Sequence, residues 1–228
     1  MGSWPAGRRR PASVGVRCRV TMADRDVEPF NRWAPTYERG SRQEFFKRLH
    51  GAVLKWVSEV GQTPRHVLDV GCGAGALLRL AAERWPDAML SGADPAEEMI
   101  KVAKAKLPEG SSVTLVNAPA EHLPFDDERF DLVVSSVSFH HWTDQAAGLS
   151  EIYRVLARGG HLCLADHFAV GLLHPFFAVF RKRDRMHTRP EVDEMLKRAG
   201  LRVVGWRIVV RLGPLPFIWA VMATRPHS

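Results

Sequence analysis

The chain has 228 residues, 46% hydrophobic and 25% charged, which suits one globular domain with a sizeable core and excludes a disordered chain. Its three cysteines, Cys18, Cys72 and Cys163, form no C-x-x-C pair and no even set, so a disulfide scaffold and a thiolate zinc cluster are excluded and a reducing compartment, the cytoplasm, is expected. The net charge of +7 is concentrated: the five arginines of residues 1–21 account for all but two of those charges, so no nucleic-acid groove is expected on the folded part.

Residues 1–21 are rich in Gly, Arg, Pro and Ser, without hydrophobic periodicity or the apolar core of a secretory signal. They read as a disordered basic tail or as sequence upstream of a start at Met22, with an organelle transit peptide as the alternative. A single domain is expected over 22–228, with lid and helices over 22–60. Phe45, Phe46, Leu49, Val53, Trp56, Val57 and Val60 recur at helical spacing and predict an amphipathic helix over Ser41–Val60. Strands are expected at His66–Val70, Met89–Ala93, Val113–Asn117, Phe130–Val137 and His161–Ala165. Helices between them end near Trp85 or span Ala96–Leu107 and Thr143–Ala157. Phe168–Phe180 is the longest apolar run and is broken by His174 and Pro175, short of the roughly 20 residues of a membrane span. Thr188 and Glu191 have capping-box spacing and open a helix closed by Gly200. Leu201–Arg211 and Leu215–Thr224 are joined too tightly for anything but an antiparallel hairpin. The fold class is therefore α/β: a doubly wound, Rossmann-like seven-stranded sheet, mostly parallel with a C-terminal antiparallel hairpin.

The chemistry concentrates at Val67-Leu68-Asp69-Val70-Gly71-Cys72-Gly73-Ala74-Gly75, the first strand-to-helix turn. Glycines let the backbone approach a ligand, and Gly71 to Ala76 also satisfy the dinucleotide pattern. Asp69 argues against a dinucleotide, because a carboxylate at that strand end repels pyrophosphate and suits a cationic amino group. A ligand with an ammonium, a carboxylate and no phosphate fits, and S-adenosylmethionine is such a molecule. Asp94, ending the second strand, suits a ribose diol.

With these motifs, the ordered set Phe30–Tyr37, Asp94–Met99, Ala120–Phe125, Phe130–Ser136, His140-His141-Trp142, Ile152–Leu156 and Gly159-Gly160 resembles the class I S-adenosylmethionine-dependent methyltransferases. The resemblance is to the small-molecule, ubiquinone and menaquinone biosynthesis-like type 11 group. It implies methyl transfer to a small, apolar or aromatic metabolite. Gly71 and Gly73 would line the methionine end of the cofactor, Asp69 would serve its amino group and Asp94 its ribose. Pro95 and Met99 would pack on adenine, with the Ala120 amide facing the ring. Tyr37, Glu121 and Ser135 complete the expected cofactor residues, and Trp33 with Tyr37 would form a lid. Where many relatives carry Gly-Asp, this chain has Ala118-Pro119, so the usual acceptor for the adenine amine is missing.

Asn-Pro-Pro-Tyr, the signature of amino methylation on bases and amides, is absent, and so are a Pro-Cys nucleophile and the several cysteines of arsenite methylation. His140 and His141 are the candidate base for an acceptor hydroxyl or thiol. No metal site is expected from His161, His167 and His174, which lack a carboxylate or thiolate at ligand spacing. Residues 166–190 would form an acceptor-pocket insertion, with peripheral membrane contact through 168–183 as the alternative for its basic and apolar stretch. The competing readings are a nicotinamide-dependent oxidoreductase and a non-catalytic cofactor-binding partner protein.

Overall fold

The computed structural model describes residues 22–107, 112–169 and 186–227. The expected basic tail, and residues 170–185 of the expected insertion with His174, lie outside them. In chain order the elements are α1 (Met22–Trp33), a 3₁₀ turn (Ala34–Thr36), α2 (Ser41–Glu59), β1 (His66–Val70), α3 (Ala76–Arg84), β2 (Met89–Asp94), α4 (Glu97–Lys106), β3 (Val113–Asn117) and β4 (Phe130–Ser136). A second 3₁₀ turn (Phe139–His141), α5 (Gln145–Val155), β5 (Leu156–Asp166), α6 (Arg189–Arg198), β6 (Arg202–Leu212) and β7 (Leu215–Thr224) follow.

The strands form one seven-stranded sheet in the order β3-β2-β1-β4-β5-β7-β6. β1 to β5 pair in parallel, and β7 runs antiparallel between β5 and β6. Strands buried on both faces read as continuous apolar runs, and side chains alternate between two cores. Leu68, Val70, Val133, Leu162 and Leu164 face one core with Leu149 and Ile152 of α5 and Leu196 of α6. Val67, Leu132, Val134 and Cys163 face the other, with Val53 and Val57 of α2 and Leu77 and Leu78 of α3. The expected doubly wound sheet and terminal hairpin are both present. The Thr188 backbone and hydroxyl donate to Glu191 Oε2 at 2.7 and 2.9 Å, so the capping box is formed.

Most element ends differ from the sequence expectation by a residue or two, and β5 begins at Leu156, five residues before the expected His161. The helix expected to reach Ala157 stops at Val155, because Leu156 already pairs with Phe130 of β4 and the sheet takes the chain over. β4 ends at Ser136, because Val137 has φ +52°, a left-handed conformation that costs a β-branched residue and cannot continue a strand.

The strand order reverses between β1 and β4, so a crevice opens there beyond the carboxyl ends of the strands. The Gly-rich turn is tied back to the neighbouring β2: the Gly71 and Cys72 amides both donate to the Ala93 carbonyl, at 2.8 and 3.1 Å. Gly92 lets this happen. A Cβ there would lie 2.8 Å from Leu78 and 2.9 Å from both Cys72 Sγ and Leu115. Gly92→Ala should therefore lower stability by about 1–3 kcal/mol through overpacking, read as a lower urea midpoint at unchanged m-value.

Candidate active site

The crevice is a cleft of about 130 Å³, open on one side. Its floor is the Gly-rich turn. Gly71 has φ +76°, and a Cβ on it would fall 1.9 Å from Ser138 Oγ, so glycine is required by conformation and by space. Ser138 is fixed in turn by the indole N–H of Trp142, which donates to its hydroxyl at 3.0 Å. The strained Val137 turns the chain out of β4 toward this point, its amide anchored on the Ala165 carbonyl at 2.8 Å.

Two carboxylates define the electrostatics. Asp69 pairs in register with Gly92 on β1 and β2, so it lies beside Asp94 at the neighbouring strand end. Asp94 accepts the Gly73 and Ala96 amides, each at 2.8 Å, yet burial still pushes its carboxyl up to about 6. Asp69 is buried, and its Oδ1 has no hydrogen-bond partner among the described residues. Burial, and next the charge of Asp94, push it up to about 8. Tyr37 closes over the pair, its hydroxyl pushed up to about 12 by burial and then by Asp94.

Of the cofactor residues expected from sequence, Tyr37, Asp69, Gly71, Gly73, Asp94, Pro95, Met99, Ala120 and Glu121 all line this cleft. Ser135 does not: it is fully buried, and its neighbour Ser136 faces the cleft instead. Glu121 is partly committed, accepting the Asp144 amide at 2.8 Å. Asp94 has a structural role as well, since its removal strands two backbone amides.

The two histidines part company. His141 lines the cleft and packs edge-on against Phe30 of α1 at 4.9 Å between ring centroids. His140 turns away, its Nδ1 2.7 Å from Asp166 Oδ1 at the end of β5, and its amide donates to Asp166 Oδ2. The two imidazole centroids are 3.8 Å apart. Burial raises the Asp166 carboxyl, but the charge and hydrogen bond of His140, then His167, hold it below the usual range.

Asp166 escaped the sequence reading, although an acid ending a strand is the signal that identified Asp94. His50 and Phe46 also line the cleft from α2, one turn apart. Burial and then Arg79 push His50 down to about 3, and its Nε2 lies 3.0 Å from Ser136 Oγ. Phe46 belongs to the apolar spacing that marked that helix as core, and His50, one turn on, lay outside the expected site residues. The lid carries Phe30, Tyr37 and Glu38 into the cleft. Glu38 Oε2 accepts from Arg79 of α3 at 2.6 Å and from Lys106 of α4 at 2.7 Å.

Residues 68–164 match the family model described as a methyltransferase domain. The chain is 35% identical over 187 residues to the malonyl-[acyl-carrier protein] O-methyltransferase of Geobacter sulfurreducens, covering 77% of this chain and 69% of that one. It is also 35% identical over 143 residues to the demethylmenaquinone methyltransferase of Thermus thermophilus, covering 60% of this chain but only 63% of that relative. Its fold is similar to that of a SAM-dependent methyltransferase from Aquifex aeolicus, with a TM-score of 0.67 at 22% identity, over 86% of this chain and 98% of that one. It is equally close to the [4+2]-cyclase SpnF, with a TM-score of 0.69 at 19% identity, over 89% and 93% of the two chains.

The raised carboxyls make stability depend on pH. The folded protein keeps the Asp69 proton up to about pH 8, whereas an unfolded aspartate loses its proton near pH ~3.9. Between those values the folded state binds more protons, so stability falls as pH rises and levels off above about 8. Urea midpoints of the ligand-free protein should decline from pH 5 to 8, and Asp69→Asn should remove most of the decline above pH 6.

Proposed function

This chain belongs to the class I S-adenosylmethionine-dependent methyltransferases, and we propose that the cleft at the β1/β4 crevice holds that cofactor and presents its methyl group to an aromatic or apolar small molecule. One observation carries the cofactor reading: a buried carboxyl oxygen of Asp69, without a partner among the described residues, beside the carboxylate of Asp94. A cationic amino group turns that unsatisfied acid into a charge-assisted pair. A pyrophosphate in the same place would meet two acids, which disfavours the nicotinamide reading. Gly71 and Gly73 would lie along the methionine end, Asp94 would accept from the ribose with its remaining lone pairs, and Pro95, Met99 and Ala120 would wall the adenine. Pro119 lines that end too and offers no acceptor side chain. The adenine amine then lacks a hydrogen bond worth about 1 kcal/mol.

When bound, the cofactor supplies a sulfonium methyl to a nucleophile in line with the leaving sulfur. The chain's own contribution is alignment, exclusion of water and removal of a proton. Lid residues Phe30 and Tyr37 and the α2 residue Phe46 cover the cleft. His141 is the group that faces the acceptor and takes its proton. His140 is a positioning residue: anchored on Asp166, it backs the His141 ring from behind. Two free, buried thiols, Cys72 and Cys163, agree with a cytoplasmic setting.

Calorimetry tests the cofactor: S-adenosylhomocysteine should bind and NAD should not, and the reverse would sink this reading. Incubating cell extract with a methyl-labelled donor then identifies acceptors. With an acceptor in hand, His141→Ala should lose turnover by about 10²–10⁴-fold at nearly unchanged cofactor affinity, less so as pH rises toward the acceptor's own pKa. Asp166→Asn should cost turnover and shift the pH profile with KM little changed. Turnover within threefold of wild type for His141→Ala across pH 6 to 9 removes it as the base.

A further inference from the structure

Outside the cofactor cleft lies a second, wider space, its mouth. Phe30, Tyr37, Phe46 and His141 line both, so these rings form the wall the two spaces share, with Tyr37 stacked on Phe46 at 5.4 Å. Trp33, Arg42 and Phe45 line only the outer part. The mouth is therefore aromatic along its length, with a single lysine or arginine among its lining residues, Arg42, at the end away from the glycine turn.

Arg42 forms no side-chain hydrogen bond or ion pair with any described residue. The nearby lid acid, Glu38, is already held by Arg79 and Lys106. Glu44, in the same helical turn, does not line the mouth. Arg42 also sits in the first turn of α2, whose N-cap, Gly40, supplies no side chain to the free amides. A guanidinium and an uncapped helix start both favour an anion, and the guanidinium's fork matches a carboxylate. Flat aromatic walls select a flat, apolar body.

We propose that the acceptor is a planar aromatic acid: its ring lies between the lid and α2, its carboxylate is held by Arg42 at the outer rim, and its methylated atom lies at the inner end beside His141. This rests on the methyltransferase reading of the cleft. It deepens that reading in one direction: the carboxylate is a handle remote from the reacting atom and is not itself methylated.

The test is binding to the full chain saturated with S-adenosylhomocysteine, read by calorimetry. The probes are 6-hydroxy-2-naphthoate and its neutral counterpart 6-hydroxy-2-naphthamide. The acid should bind at least about tenfold more tightly than the amide, a difference of about 1.4 kcal/mol. Arg42→Gln should bring the acid down to the amide's affinity while leaving the affinities for the amide and S-adenosylhomocysteine unchanged. Arg42→Lys should keep part of the preference. Equal binding of acid and amide to the wild type overturns the proposal, as does a preference that survives Arg42→Gln or binding of neither ring at millimolar concentration. Failure of S-adenosylhomocysteine to bind is a separate result, and it counts against the cofactor reading of the cleft.

Discussion

Two carboxylates brought together at the ends of adjacent buried strands set the terms for the rest of this structure. Parallel pairing sets Asp69 level with Gly92, so Asp94 stands two positions further along the same face of β2, and both acids are buried. The Gly-rich turn answers part of that demand. Gly71, Gly73 and Gly75 all take positive φ, which folds the turn over the end of β2 and lets the Gly73 amide reach Asp94. The end of β4 is then shaped around the turn, with Ser138 in the space a Gly71 side chain would need. Asp69 Oδ1 is left over. The ligand-free fold thus stores an instability that a cation can relieve.

Around that fixed centre the remaining parts divide by rigidity. The floor is made of strand ends buried between two cores, while the roof is made of α1, the first 3₁₀ turn and the cleft-facing residues of α2, whose other face packs in the second core. Fold alone does not decide the chemistry: a [4+2]-cyclase has a closely similar backbone. What identifies this site is which side chains stand at the strand ends, and what distinguishes its acceptor is the set of aromatic rings in the roof.

Much of this was legible in the sequence where local patterns coincide with the sheet. The strands were readable because their buried runs are bounded by Gly, Pro and Asp, and the parallel order followed from the helices between them. Asp69 and Asp94 were readable because each ends such a run. Residues whose roles depend on one step of phase were not. Ser135 and Ser136 are indistinguishable in a run of serines, and only the turn at Val137 decides which faces the cleft. His140 and His141 pose the same problem in a 3₁₀ turn, settled by the reach of Asp166 from β5, 26 residues onward. Phe46 was hidden because a helix face that packs on the core and one that borders a cavity share the same apolar spacing, and with it His50, one turn further along that face.

The roof has one further consequence. The N-cap of α4, Ala96, supplies no side chain, and the amide of Glu98 is instead satisfied by Asn31 Oδ1 of α1, at 3.1 Å. The same helix carries Met99 in the cleft wall, and its far end holds Glu38 through Lys106. The lid and α4 therefore complete one another's hydrogen bonding. A molecule that presses on Pro95 and Met99 steadies the start of α4 and with it the partner of Asn31, and one that packs beneath Phe30 steadies Asn31 and with it α4. Such coupling is reciprocal by thermodynamic necessity. Two occupants of this cleft acting in that way would raise each other's affinity by the same factor, through a helix cap that neither of them touches.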